Sequence, residues 1–296
     1  MRSIQITQLL RLPTNDIGRG RANVAIDAVD DPFVWIAERV DTGQGSRGTY
    51  RFLRATHNDF RYLPIAQSTG IAPRLYPFTD GRLLLIFHRH SGDRFNATVY
   101  SPAGEELARF ATSDAVGDVQ ITADGRIWVS YHDESGDGQL DCFTSDGERI
   151  FRFASLRPPA KAYAEHDSAL RAFTDCYALN VSSENTAWAY YVPGFRLVRI
   201  VDLKLAGVWD ASAVSGSHAF AVDGRRALFA GTYDRDDGLF LFDLTTGEVD
   251  EVEALYDNGW PAKVRRRDCI GRGTRLYVNG GMYLSVIALE SLVSTT

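Results

Sequence analysis

Thr79-Asp80-Gly81-Arg82-Leu83-Leu84-Leu85-Ile86-Phe87-His88 and Ala123-Asp124-Gly125-Arg126-Ile127-Trp128-Val129-Ser130-Tyr131-His132 decide the fold. Each is a tight Asp-Gly turn leading into an apolar run rich in β-branched and aromatic residues. That is the pattern of a hairpin feeding a buried strand. Gly81 and Gly125 stand 44 residues apart, a length suited to a repeating unit of four short strands.

Weaker copies extend the series in both directions. Upstream lies Asp31-Pro32-Phe33-Val34-Trp35-Ile36-Ala37-Glu38. Downstream lie Glu184-Asn185-Thr186-Ala187-Trp188-Ala189-Tyr190-Tyr191, Arg225-Arg226-Ala227-Leu228-Phe229-Ala230-Gly231-Thr232 and Gly273-Thr274-Arg275-Leu276-Tyr277-Val278-Asn279-Gly280. A second signal follows several copies: Ser101-Pro102-Ala103-Gly104-Glu105, Thr144-Ser145-Asp146-Gly147-Glu148 and Leu244-Thr245-Thr246-Gly247-Glu248 are hairpin turns that join an apolar strand to an outer one. Each unit therefore reads strand, turn, strand, longer loop, strand, turn, strand. No helical period separates the strands, which argues against an α/β fold.

Six such units predict one all-β domain over residues 1–296, a six-bladed β-propeller of four-stranded antiparallel blades. The last unit lacks an outermost strand, and Ile4-Gln5-Ile6-Thr7-Gln8-Leu9-Leu10-Arg11-Leu12 can supply it. Residues 1–12 are thus expected to close the ring as the outer strand of the last blade, removing an exposed edge. Residues 156–173 are expected to be an insertion between blades, with a short helix or ordered lid in their second half. The repeat grammar resembles that of the six-bladed propeller superfamily, loosely the NHL-repeat and SMP-30-like groups, over nearly the whole chain. The resemblance implies the fold. SMP-30-like enzymes hold a divalent cation with Glu, Asn and Asp around the channel, and that set does not map onto this sequence residue by residue.

Hydrophobic residues make up 45% of the 296 and charged residues 24%, enough to bury a core. The formal net charge of −6 opposes nucleic-acid binding, which rests on broad basic surfaces. No apolar run reaches the roughly 18–20 residues of a membrane span. The N-terminus alternates polar and apolar residues and lacks the apolar stretch of a signal peptide. Three cysteines, Cys142, Cys176 and Cys269, are odd in number and widely spaced, which predicts reduced thiols and a cytoplasmic location.

In such a unit the short turns share one face, and the longer loops and inter-blade connections share the other. Segments 41–49, 91–94, 156–173 and 256–263 fall on the second face, where a rigid scaffold usually carries its binding chemistry. Seven residues after each frame start come Glu38, His88, His132, Tyr191, Thr232 and Gly280. Seven before come Val24, Arg74, Asp118, Tyr177, His218 and Arg266. Both sets are expected near the ends of strands on the loop-rich face.

The leading expectation is a module that binds a protein, a peptide or a small polar ligand there, with Arg74, Glu38, His88, Tyr191 and Trp260 as contact residues. The alternative is a hydrolase- or lyase-like enzyme at the channel mouth, built from His132, His218, Asp118 and Arg266. His132 beside Asp118, or His218 beside Arg266, would move protons near neutral pH. Arg74 with Arg266 would hold a carboxylate or phosphate. A divalent metal on His88 and His132, completed by Asp118 or Glu134, is the cofactor this reading allows.

Overall fold

The computed structural model describes residues 2–12, 22–42, 45–56, 59–89, 95–132, 139–154 and 173–294. The insertion expected at 156–173 lies outside them but for Phe173. So do His90, Asp133 and Glu134.

The first strands are β1 (Arg2–Arg11), β2 (Asn23–Ile26), β3 (Pro32–Arg39), β4 (Arg47–Ala55), β5 (Phe60–Tyr62), β6 (Ser68–Pro77), β7 (Leu83–Arg89), β8 (Ala97–Tyr100) and β9 (Glu106–Phe110). Then come β10 (Val116–Ile121), β11 (Ile127–Tyr131), β12 (Gln139–Phe143), β13 (Arg149–Ala154), β14 (Asp175–Ser183), β15 (Thr186–Val192), β16 (Arg196–Val201) and β17 (Lys204–Asp210). The series ends with β18 (Phe220–Val222), β19 (Arg226–Ala230), β20 (Leu239–Asp243), β21 (Val249–Leu255), β22 (Cys269–Arg272), β23 (Arg275–Asn279), β24 (Tyr283–Ala288) and β25 (Val293–Ser294). Among the described residues the helical elements are single 3-10 turns, such as Ser212–Val214 and Arg266–Asp268.

The chain divides into two compact units. The N-terminal unit takes Arg11–Ser135 and Leu140–Arg152; the C-terminal unit takes Met1–Leu10, Gly136–Gln139 and Phe153–Thr296. In the N-terminal unit one sheet runs β2-β3-β4-β6-β7-β8-β9 and a second, four-stranded, runs β10-β11-β12-β13. In the C-terminal unit a four-stranded sheet β14-β15-β16-β17 accompanies one ordered β18-β19-β20-β21-β1-β24-β23-β22. Consecutive strands within each repeat pair antiparallel, as in β6 with β7 and β19 with β20.

The second strand of each repeat is the apolar run read in the sequence, and it is buried on both faces. In β7, Leu83 and Leu85 enter a cluster with Phe33, Trp35, Phe52 and Leu75. Their neighbours Leu84 and Ile86 point the other way, into a cluster with Val116, Val119, Ile127 and Val129. β19 does the same in the C-terminal unit. Leu228 and Ala230 join Ile4, Ile6, Leu239 and Leu276, while Ala227 and Phe229 join Trp188, Tyr190, Leu197 and Phe242. Side chains alternate across a strand, so a continuous apolar run needs a packed neighbour on each side.

The first repeat departs from the four-strand pattern. Its outer edge, β4, is covered twice over: β5 pairs Leu53–Ala55, and the start of β6 pairs Arg47–Tyr50. That second pairing joins two repeats into one sheet. The 41–49 loop is correspondingly shorter than expected, because Arg47–Thr49 already belongs to β4.

β1 sits between β21 and β24. It runs parallel to β21, with Arg2, Ser3, Ile4 and Gln5 opposite Val252, Glu253, Ala254 and Leu255, and it takes β25 antiparallel at Arg2 and Ser3. Its alternation places Ile4 and Ile6 in the core and leaves Gln5, Thr7 and Gln8 exposed. The innermost strands of this unit meet closely. The Asn180 amide donates to the Phe220 carbonyl at 2.7 Å and the Gly273 carbonyl at 3.0 Å, tying β14 to β18 and to the turn after β22. Gly271 allows β22 this approach, because a Cβ there would stand 2.0 Å from the Phe220 carbonyl oxygen.

Two outcomes follow for equilibrium denaturation of the full chain. Ile6→Ala should cost about 2–5 kcal/mol, the range for truncating a buried Ile, whereas Gln8→Ala should change stability by less than about 0.5 kcal/mol. Gly271→Ala should cost more than about 4 kcal/mol, since a backbone strand must move, while Gly45→Ala, which meets nothing within 4 Å, should be close to neutral.

Candidate functional site

In the N-terminal unit the repeat register brings two imidazoles together. His88 closes β7 and His132 follows β11, and their ring centroids are 5.8 Å apart at 60°. Each stands beside a left-handed alanine, Ala72 within β6 and Ala115 just before β10. Ala72 has φ of 49° and Ala115 a φ of 54°, a conformation that non-glycine residues adopt rarely and that marks a local constraint. The His132 amide donates to the Ala115 carbonyl at 2.9 Å. A Cβ on Gly117 would lie 3.4 Å from the His132 ring, which places that ring against β10.

Burial holds the His88 pKa below its usual 6.5, and the charges of His132, Arg74 and Arg89 push it the same way; a hydrogen bond to the Val116 backbone opposes them. His88 is therefore neutral at pH 7 and available as a proton acceptor. Tyr76, on β6 near Arg74 and Asp118, has its phenol pushed well up by burial and by the Asp118 charge. Asp118 itself is held in place: its carboxylate accepts the Val119 amide at 2.8 Å and the Gln120 side chain at 3.2 Å. Its own amide donates to the Ser130 hydroxyl at 2.9 Å.

The C-terminal unit carries an aromatic assembly at the corresponding position of its repeats. Tyr177 on β14 stacks on His218 with centroids 5.0 Å apart and planes at 17°. The Tyr177 and Tyr233 hydroxyls share a hydrogen bond, and Phe195 meets both rings edge-on, at 5.6 Å and 5.7 Å. The Arg266 guanidinium lies 5.5 Å from the Tyr233 centroid. It donates to Asp236 at 2.8 Å and to the Gly216 carbonyl at 3.1 Å. Tyr233 is 53% exposed, so the assembly opens to solvent. A half-exposed stack of two phenols, an imidazole and a fixed guanidinium offers flat apolar area with hydrogen-bonding edges, the chemistry of recognition surfaces.

Other expected contact residues are placed differently. Tyr191 is fully buried, its ring 4.3 Å from Phe173 and 6.1 Å from Phe153, so it serves the core instead of a surface. Glu38 accepts from Arg51 at 2.5 Å and from the Tyr62 hydroxyl at 3.0 Å, and so belongs to a surface ion-pair network on β3, β4 and β5. Arg74 is exposed in the N-terminal unit; Arg266 belongs to the C-terminal unit and is committed to Asp236. Trp260 is 71% exposed on the turn that follows β21, its amide donating to the Asn258 side chain at 3.0 Å.

Among the described residues no group of three or more His, Cys, Asp and Glu side chains is placed to hold a metal ion. His88 and His132 supply two donors, and the Asp118 carboxylate is taken up by its neighbours, so the expected divalent-metal set is not assembled by the described residues. The three cysteines are free thiols. Burial pushes Cys142 up to about 12, which makes it a poor nucleophile at neutral pH. No helix among the described residues is long and apolar enough to cross a membrane.

The fold is of the β-propeller class. In structure the chain is similar to a chain of the nidogen/laminin complex, at 10% identity and a TM-score of 0.50, covering 85% of this chain and 93% of that one. It is similar to an auxiliary nutrient binding protein from Bacteroides thetaiotaomicron VPI-5482, at 9% identity and a TM-score of 0.50, over 97% of this chain and 77% of that one. It is likewise similar to YCF48 bound to D1 peptide, at 9% identity and a TM-score of 0.50, over 94% and 93%. At such identities the likeness carries the fold and none of the chemistry. The YxzG family model matches residues 161–284, less than half of the chain. No curated protein matches the sequence.

The depressed His88 pKa has a readable sign. Below about pH 6.5 the unfolded chain binds a proton that the native chain resists, so the stability His88 contributes is complete above that pH and is lost as pH falls toward the lower native value. An NMR titration should place the His88 midpoint below 6.5, and His132→Gln should move it upward by removing a neighbouring positive charge.

Proposed function

We propose that this chain is a recognition module that binds a protein, a peptide or a small polar ligand on its loop-rich face. The repeats are read as six blades, with β1 as the outer strand of the last and the element that closes the ring. One observation carries the reading: the solvent-open stack of His218, Tyr177, Tyr233 and Arg266. Aromatic and arginine side chains held rigid at a surface lose little conformational freedom on binding and contribute disproportionately to affinity. Trp260 extends the same face in this reading. Free thiols and an acidic net charge of −6 suit a cytoplasmic module whose partner is neither nucleic acid nor membrane.

A second reading rests on the His88–His132 contact. A neutral imidazole packed beside another, near Arg74 and Asp118, suits a hydrolase- or lyase-like enzyme that works by proton transfer.

The test is a screen of the full chain against a peptide library and a panel of polar metabolites, repeated with variants. Tyr233→Ala and His218→Ala should each weaken a bound peptide or metabolite roughly tenfold or more, with melting temperature nearly unchanged. Binding that survives both variants would sink the first reading. Turnover of a panel member that disappears in His88→Ala or His132→Ala would establish the second.

A further inference from the structure

We infer that the N-terminal unit binds a small oxyanion, the carboxylate or phosphate group of a metabolite, where Arg74, His88 and His132 come together. The inference rests on the second reading for its site, and it names the group that a ligand would present there.

The site is built by register. Arg74 on β6 stands opposite Ile86 on β7, and His88 lies two residues beyond Ile86. Arg74 and His88 therefore share one face as diagonal neighbours, within reach of each other for long side chains. Ile86 enters one cluster with Val116 and Val119 of β10, so this face looks toward β10 and β11. His132 follows β11 and brings its ring to 5.8 Å from that of His88. Small residues keep the place open. Ala72, opposite His88 between the pairs Ile71–Arg89 and Pro73–Phe87, is exposed. The pairing of β10 with β11 shifts between Val116 and Val119, and Gly117 stands in the shift. A Cβ there would lie 3.1 Å from the Ser130 hydroxyl and 3.4 Å from the His132 ring, so a larger residue would crowd the imidazole.

The charges select the sign of the ligand. The titratable groups around the pair are Arg74 and Tyr76 on β6, Arg89 on β7, and Asp114 and Asp118 before and within β10. Asp114 lies 3.7 Å from Arg89. The Asp118 carboxylate accepts from the Val119 amide and the Gln120 side chain, and its charge bears on the Tyr76 phenol. The charges that reach His88 are those of His132, Arg74 and Arg89, all cationic or protonatable. Arg74 is exposed and has no ion pair among the described residues. A cation would meet that guanidinium and two imidazoles, and a neutral ligand would leave the guanidinium without a counter-charge. An oxyanion takes paired hydrogen bonds from the planar fork of Arg74. It also favours imidazolium, so binding draws a proton from solvent onto the neutral His88.

Histidine NMR titration and calorimetry on the full chain test this. Acetate, inorganic phosphate and sulfate are the probes; sodium chloride at matched ionic strength and methylammonium are the controls. At least one oxyanion should bind with a Kd between about 0.1 and 10 mM. It should raise the His88 midpoint by about 0.5 or more, which corresponds to roughly threefold tighter binding to the protonated ring. Sulfate, whose own charge is constant, should bind more tightly as the pH falls from about 8 to 6. Arg74→Gln, at an exposed position, should weaken binding roughly tenfold, while His218→Ala should leave it unchanged. Phosphate bound more tightly than acetate assigns a phosphate group, and the reverse a carboxylate. The inference is overturned if no oxyanion moves the His88 midpoint further than chloride does up to about 50 mM, if Arg74→Gln binds like the parent, or if methylammonium binds more tightly. Oxyanion binding without turnover of any panel member would count against the enzyme reading alone. Turnover of a neutral substrate that is lost in His88→Ala, with no oxyanion bound, would count against this inference alone.

Discussion

A strand that is apolar on both faces cannot terminate a fold; it requires a packed layer on either side. β7, β11, β15 and β19 all have this character, and it organises each unit. Within each unit the repeats present two apolar faces and cover one another, as a repeat that cannot bury its faces alone requires. The large aromatics are the spacers of that stack. Trp35, Trp128 and Trp188, each in the second strand of its repeat, are all 2% exposed or less. Such rings bring 150–250 Å² of burial apiece, by the usual range.

The same constraint dictates where chemistry can lie. Faces committed to packing leave only the ends and edges of strands for polar groups. Both clusters obey this: His88 and His132 sit where second strands leave their sheets, and His218 and Arg266 precede the innermost strands β18 and β22. The left-handed alanines beside them, Ala72 within β6 and Ala115 just before β10, mark local departures from the strand backbone. Backbone of that kind persists only where its surroundings hold it. Asp141 shows how an interior charge is held. Asp141, with a fully buried side chain, accepts two bonds from Arg152 at 2.7 and 2.8 Å and one from the Tyr131 hydroxyl.

Much of the strand order was legible because period-two burial and Asp-Gly turns are local signals. The apolar frames coincide with β7, β11, β15, β19 and β23. Repeat register also placed His88 and His132 at like positions of successive units, which is why their rings meet. Register failed where tertiary neighbours decide. Tyr191 holds the same position as the histidines, yet Phe153 and Phe173 close over it. Tyr233 escaped notice because its partner Tyr177 lies 56 residues away and loop paths have no period.

The placement of β1 has a consequence for how the chain is made. β1 leaves the ribosome about 250 residues ahead of its partners, Val252–Leu255 of β21 and then β24. At 5–20 residues per second that is a wait of roughly 10–50 s. Throughout that interval Ile4 and Ile6 have no core to enter, and β21 keeps an unpaired edge from the time it is made. The repeats between can pack one on another as they emerge, since their contacts are near in sequence. The C-terminal unit can be completed only after β24 is released, by a segment that has to find its slot across a long loop. Assembly of this unit is therefore gated by translation, and during the wait β1 is the strand most open to chaperones and to stray pairing.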